Sequence, residues 1–274
     1  MRYRDVGVFL GIAFGLTWLL WVVEQVTGVQ ILFFAAMMSV AVATFVAARW
    51  VWRPSDLPRA TSLVPVRPLP RTLRWCALAV GLFLVMGALA LALNHVTGVY
   101  PADLGHLDWT RGLGPALVQF VLILPLAFCE EWGWRGYLLN RLREGLGTWP
   151  ALIVIGVIGG LWHLPFYVRP WFAMSPDARA SFVPFVIFVV LFGVVLGLLR
   201  LASGSIWPAV VAHAVNNTIV FGYLDVLVSP GVEINPWVAA LSGWQGWLIL
   251  IAAAAVLTMA GPLRIHRRMA INKG

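Results

Sequence analysis

Charge is scarce in this chain. Only 11% of its 274 residues are Asp, Glu, Lys or Arg, against about 25% in an ordinary soluble domain. A water-soluble surface cannot be covered by so few, which excludes a soluble globular enzyme. Acids are the scarcer sign, 11 against 19 Lys and Arg. Cysteine is nearly missing. Cys76 and Cys129 both lie in apolar runs and read as small core fillers, although Cys129 borders Glu130. Two such residues exclude a disulfide framework and zinc-finger spacing. The sequence also lacks His-Glu-x-x-His, Gly-x-Gly-Asp and Gly-x-Ser-Gly motifs, low-complexity tracts and a convincing internal repeat.

Apolar residues are what the chain has: 61% of the total, with 15 Trp. Runs of ~20 apolar residues recur about eight times, over 6–26, 31–52, 73–95, 113–139, 149–168, 182–200, 205–228 and 238–262. The expected fold is all-α: a polytopic membrane protein forming one bundle of about eight transmembrane helices. Residues 1–274 are read as a single membrane domain, with no soluble domain attached. Val6 to Val26 lacks a small-x-small cleavage pattern and reads as a span. The net charge of +8 does not indicate nucleic acid, because the basic residues gather at span ends. The expected partner is a lipid bilayer.

Placing the N-terminus in the cytoplasm sorts these residues. Arg2, Arg4, Arg49, Arg53, Arg59, Arg67, Arg71, Arg74, Arg141, Arg143, Arg200, Arg264, Arg267, Arg268 and Lys273 then fall inside, 15 of 19. Arg111, Arg169 and Arg179 fall outside, and Arg135 lies within a span. Such asymmetry supports eight spans with both termini cytoplasmic.

Against that background, Glu130 and Glu131 stand inside the apolar run from Leu117 to Leu139. A carboxylate in hydrocarbon costs several kcal/mol, so an intramembrane pair is a functional-site hypothesis by default. Counted from the cytoplasmic span ends at ~1.5 Å per residue, Glu130 lies about 15 Å deep and His163 about 21 Å. His213 and Asn217 lie about 12 to 18 Å deep. Three helices thus bring polar groups to similar depths, as a shared interior site requires.

Spacing suggests their roles. Glu131 and Arg135 are four apart on one helical face, acid first, the favourable order. Glu130 is turned about 100° away and is free to act as a general base on water. His213 and Asn217 share a face and offer two donors to a developing oxyanion. His163 can position or polarise the water opposite Glu130. Trp132 and Trp162 flank the site as candidates for a substrate groove. Structural readings stand beside these: Glu131–Arg135 as a buried strut, each His as an interhelical bond, Asn216 and Asn217 as helix glue.

Taken together, three motifs resemble the CPBP intramembrane proteases, which include type II CAAX prenyl endopeptidases and bacteriocin-processing or immunity proteins of the ABI type. They are Glu130-Glu131-Trp132-Gly133-Trp134-Arg135, then His163 within Trp162-His163-Leu164-Pro165, then His213-Ala214-Val215-Asn216-Asn217. The resemblance covers about residues 113–225 and departs at Gly159, where the family carries an aromatic. It implies an eight-helix bundle with an intramembrane polar cavity open toward the cytoplasm. It also implies that Glu130 and His163 activate water, that His213 and Asn217 form the oxyanion hole, and that Glu131 and Arg135 support them. The substrate would be a membrane-associated peptide or protein, the setting a bacterial inner membrane. No cofactor is certain; a divalent metal such as zinc on Glu130, His163 and His213 is an option. Two other classes stay open: a non-catalytic immunity or scaffold protein binding a peptide in the same groove, and a proton-coupled transporter. No feature specifies an oligomeric state.

Overall fold

Backbone groups in hydrocarbon have no water to bond, so membrane spans are continuous helices. The computed structural model describes residues 3–65, 68–99, 109–168, 178–223, 235, 237–238 and 241–260, and no strand occurs among them. The long helices are α1 (Arg4–Thr27), α2 (Ile31–Val46), α4 (Leu69–Val96), α5 (Trp109–Glu131) and α9 (Ala178–Ser203). The short helix α3 (Leu57–Ala60) lies between α2 and α4. A π-helical turn, Trp132–Leu138, carries α5 into α6 (Leu139–Leu146); this continuous rod is the motif helix. The shorter helices are α7 (Thr148–Trp162), α8 (Pro165–Val168), α10 (Trp207–Val215, continued as a π-helix over Asn216–Tyr223) and α11 (Trp244–Ala260).

Among the described residues, five helices are long and apolar enough to cross a membrane: Arg4–Thr27, Ile31–Trp52, Leu69–Val96, Gly114–Leu146 and Ser181–Ser203. The protein is therefore an all-α, multi-pass membrane protein. Two of the other three expected spans correspond to shorter apolar helices, Thr148–Trp162 and Trp244–Met259, and the third to α10 with its π-helical continuation. The fifth does not run from 149 to 168 as one rod. It stops at Trp162, because Pro165 has no N–H and disfavours helix in the residue before it, so His163 caps α7. The eighth begins at Trp244 rather than at 238. Residues 224–228 of the expected seventh span lie outside the described residues, as do Arg2, Arg67, Arg169, Arg264, Arg267, Arg268 and Lys273.

Contacts between helix ends reveal the alternation. Asp5 of α1 meets Arg141 of α6, and Arg200 of α9 meets Ser62 beyond α3. These lie at one end, the basic end. At the other, Gln245 of α11 donates to Thr97 beyond α4. Two apolar clusters fill the bundle. One joins α1, α2, the motif helix and α7; the other joins α4, α9, α10 and α11. Helix α9 serves both, with Val194 and Leu198 in the first and Phe192 and Val195 in the second. The polar side chains lie along that seam.

Glycines set the approach of α7 to α9. A Cβ on Gly156 would strike the Val190 backbone, and one on Gly160 would lie 3.1 Å from Val186. With no hydrophobic drive between helices in lipid, such small-residue contact is what binds them. Gly156→Val should overpack this crossing and cost about 1–3 kcal/mol, read as a lowered melting temperature of the purified protein in detergent.

Candidate active site

Glu131 is the hub of the polar cluster. It is completely buried, and its Oε1 lies 2.8 Å from Arg135 Nη1 and 2.9 Å from His213 Nδ1. A carboxylate paired with a guanidinium only accepts, so His213 Nδ1 donates to it and Nε2 is the nitrogen left for chemistry. Neighbouring small residues make this possible. A Cβ on Gly193 would lie 2.9 Å from Arg135 Nη2, so α9 gives way to the guanidinium there. Next to it, Phe192 packs its ring edge against His213, with centroids 5.4 Å apart. Gly133 and Gly136 let the π-helical turn lie flat: a Cβ would strike Val40 at the first, and approach the Thr61 carbonyl to 2.9 Å at the second. The cluster is not self-sufficient, since Glu131 Oε2 and Arg135 Nε are buried without partners. A half-satisfied buried ion pair is a poor stabiliser, which weighs against a purely structural strut.

Glu130, 3% exposed, turns to a different neighbour, the Trp134 indole. It lies within electrostatic reach of His213, Glu131 and Arg135. His163 lies within such reach of His213 as well. At the end of α7, His163 Nδ1 donates to the Gly159 carbonyl at 2.8 Å. That bond fixes the tautomer and leaves Nε2 with a lone pair. Gly159, where an aromatic was expected, thus orients the histidine through its backbone. Aromatic contacts come instead from Trp162, edge-on at 4.6 Å, from Phe185 of α9, edge-on at 5.1 Å, and from Phe166 at 6.0 Å.

Asn217 lies beyond the start of the π-helical turn, so the widened helix carries it round from its α-helical position relative to His213. Its Oδ1 accepts from Asn216 Nδ2 at 3.1 Å, leaving its own amide N–H groups to donate elsewhere. The structure therefore joins Glu131, Arg135 and His213 directly, brings Glu130 and His163 within range of them, and ties Asn217 to Asn216.

The two groove candidates part company. Trp132 is partly exposed, stacks on Phe128 with centroids 6.0 Å apart, and donates to Thr61 Oγ1 at 3.0 Å. Trp162 is fully buried and lines no groove; its indole donates to Thr17 Oγ1 and to the Ala13 carbonyl of α1. It is a packing residue beneath His163. For the metal option, no group of three His, Cys, Asp or Glu among the described residues is arranged to hold an ion. His163 and His213 each commit Nδ1, to the Gly159 carbonyl and to Glu131, so each has only Nε2 to offer an ion.

Sequence reasoning missed the ring contacts of Phe185 and Phe192 and the clearance at Gly193, none of which has a local motif. It also missed the segment after α3, where Thr61 and Ser62 are buried against the site helices.

A polytopic bundle that buries a Glu–Arg–His cluster is an intramembrane-site protein, and comparison with known proteins sharpens this. Residues 112–219 match the family described as type II CAAX prenyl endopeptidase Rce1-like. The chain is also similar to CAAX prenyl protease 2 of Methanococcus maripaludis, 30% identical over 87 residues. That match spans 30% of this chain and 32% of the relative, about a third of its length. The matched segment is the one that carries all three motifs.

Removing one member of the buried pair should be far costlier than removing both. Glu131→Ala is expected to lose about 3–5 kcal/mol by stranding Arg135. Glu131→Ala combined with Arg135→Ala should fall well short of additivity in a thermal-unfolding double-mutant cycle.

Proposed function

We propose that this chain is an intramembrane endopeptidase that hydrolyses a peptide bond in a membrane-associated peptide or protein. The observation that carries the reading is the Glu131 carboxylate bridging Arg135 and His213, within the segment related to CAAX endopeptidases.

In this reading Glu130 takes a proton from water as its oxygen attacks the scissile carbonyl carbon. His163 Nε2, its lone pair exposed by the Gly159 bond, orients that water. The carbonyl oxygen becomes an oxyanion, met by His213 and by the Asn217 amide. Because His213 Nδ1–H is committed to Glu131, Nε2 can donate only from the imidazolium form. Glu131 supplies the counter-charge, so it acts as a positioning residue for His213. Glu130 then returns the proton to the amine as the C–N bond breaks. No step is routed through a metal. The reading places the basic end in the cytoplasm, in agreement with the arginine distribution. A bacterial inner membrane and a cavity opening at that end belong to the same proposal.

Glu130→Gln should abolish cleavage of a peptide library by the purified protein while leaving its melting temperature unchanged. Asn217→Ala should lower kcat by roughly 10²–10³, with KM little altered. Cleavage at the full rate by Glu130→Gln would overturn the assignment. Cellular function that survives without cleavage would favour a binding or immunity role.

A further inference from the structure

Arg200, near the end of α9, is a buried cation with no acid beside it among the described residues. It is 7% exposed, yet its Nη2 reaches only neutral acceptors, Ser62 Oγ at 2.7 Å and Asn140 Oδ1 at 2.8 Å. Its Nε is sealed off without a partner, and no ion pair joins it to any described residue. Among the described residues the charge that acts on it is of the wrong sign: Arg143, half-buried on α6. Arg143 itself donates from Nε to Thr148 Oγ1 at 3.3 Å. The neighbouring arginines are treated differently. Arg135 is paired with Glu131 and Arg141 with Asp5 and Glu144.

Burial of a cation costs several kcal/mol unless an opposite charge offsets it, and a second cation at the same corner raises that cost. Asn140, which Arg200 contacts, stands one turn before Arg143 on α6, so two guanidiniums share this corner and neutral side chains orient one of them; such a donor set suits phosphate. Arg200 lies three residues from the end of α9, about 5 Å along the axis, close to the level of lipid headgroups. We infer that Arg200 and Arg143 form a binding site for a phosphate-bearing anion at the basic end of the bundle, supplied by a lipid headgroup or by free phosphate. Ser62 and Asn140 hold Arg200 in place, and the bound anion would clasp α9 to the motif helix. The site is separate from the Glu131 cluster and does not rest on the protease reading.

The test is thermal unfolding of the purified full chain in a neutral detergent, titrated with phosphatidylglycerol, with inorganic phosphate, or with diacylglycerol. Phosphatidylglycerol, inorganic phosphate or both should raise the melting temperature, and diacylglycerol should not. A response to phosphatidylglycerol alone identifies a headgroup; a response to inorganic phosphate identifies the free anion. Arg143→Gln, at a half-buried position, should weaken the response roughly tenfold or more. Arg200→Gln should do the same if it folds. No stabilisation by either phosphate source, or an equal response in the wild type and Arg143→Gln, would overturn the site.

Discussion

One oxygen atom organises the interior of this protein. Glu131 Oε1 accepts from Arg135 on its own helix and from His213 on another. Each partner is then held by α9, Arg135 through the clearance at Gly193 and His213 through the edge of Phe192. Losing the carboxylate would strand two buried groups at once. Because the arrangement leaves Glu131 Oε2 and Arg135 Nε unpaired, the cluster is better explained by chemistry than by stability. Its strictest consequence is at His213, where one nitrogen is committed and the other must do any work.

The site also depends on departures from regular helix. α5 turns π-helical immediately after Glu131, and α10 does so at Asn216. Such turns occur often at functional sites because they re-aim side chains and free backbone carbonyls. Here the Gly136 carbonyl is taken up by Asn140 Nδ2 at 2.8 Å, and the same amide donates to the Ala60 carbonyl. α7 contributes its own irregularity, stopping at Trp162 so that His163 caps it immediately before Leu164-Pro165. Each site helix is thus bent or stopped where its reactive side chain stands.

The sequence makes some of this legible and hides the rest for physical reasons. Eight apolar runs are visible because lipid demands them, and the Glu131–Arg135 pair because four residues make one helical turn. The Glu131–His213 bond cannot be read from spacing, since 82 residues separate its ends. Spacing suggested that His213 and Asn217 share a face, but it could not foresee a π-helical turn starting between them. Trp162 looked like groove lining from its neighbour in the motif, yet α1 buries it completely. Apolar composition cannot distinguish a lipid-facing Trp from a core Trp, because both environments are apolar. Arg200 shows the same limit for charge: it scored as an orientation marker and proved to be buried.

Three arginines at and below the basic end therefore show three solutions to one problem. Arg135 sits deepest, and its charge is offset by a carboxylate on the same helix. Arg141 reaches across to Asp5, whose other hydrogen bond comes from Tyr137, and lies over the Trp52 ring at 5.4 Å. That network fastens the start of α1 to the end of the motif helix. Arg200 alone is met by neutral oxygens, on Ser62 and Asn140. Those contacts draw the buried residues after α3 over the ends of the site helices, where Trp132 and Trp207 also bond the same segment through Thr61 and Leu63. The segment is thus held by every helix that carries part of the cluster except α7.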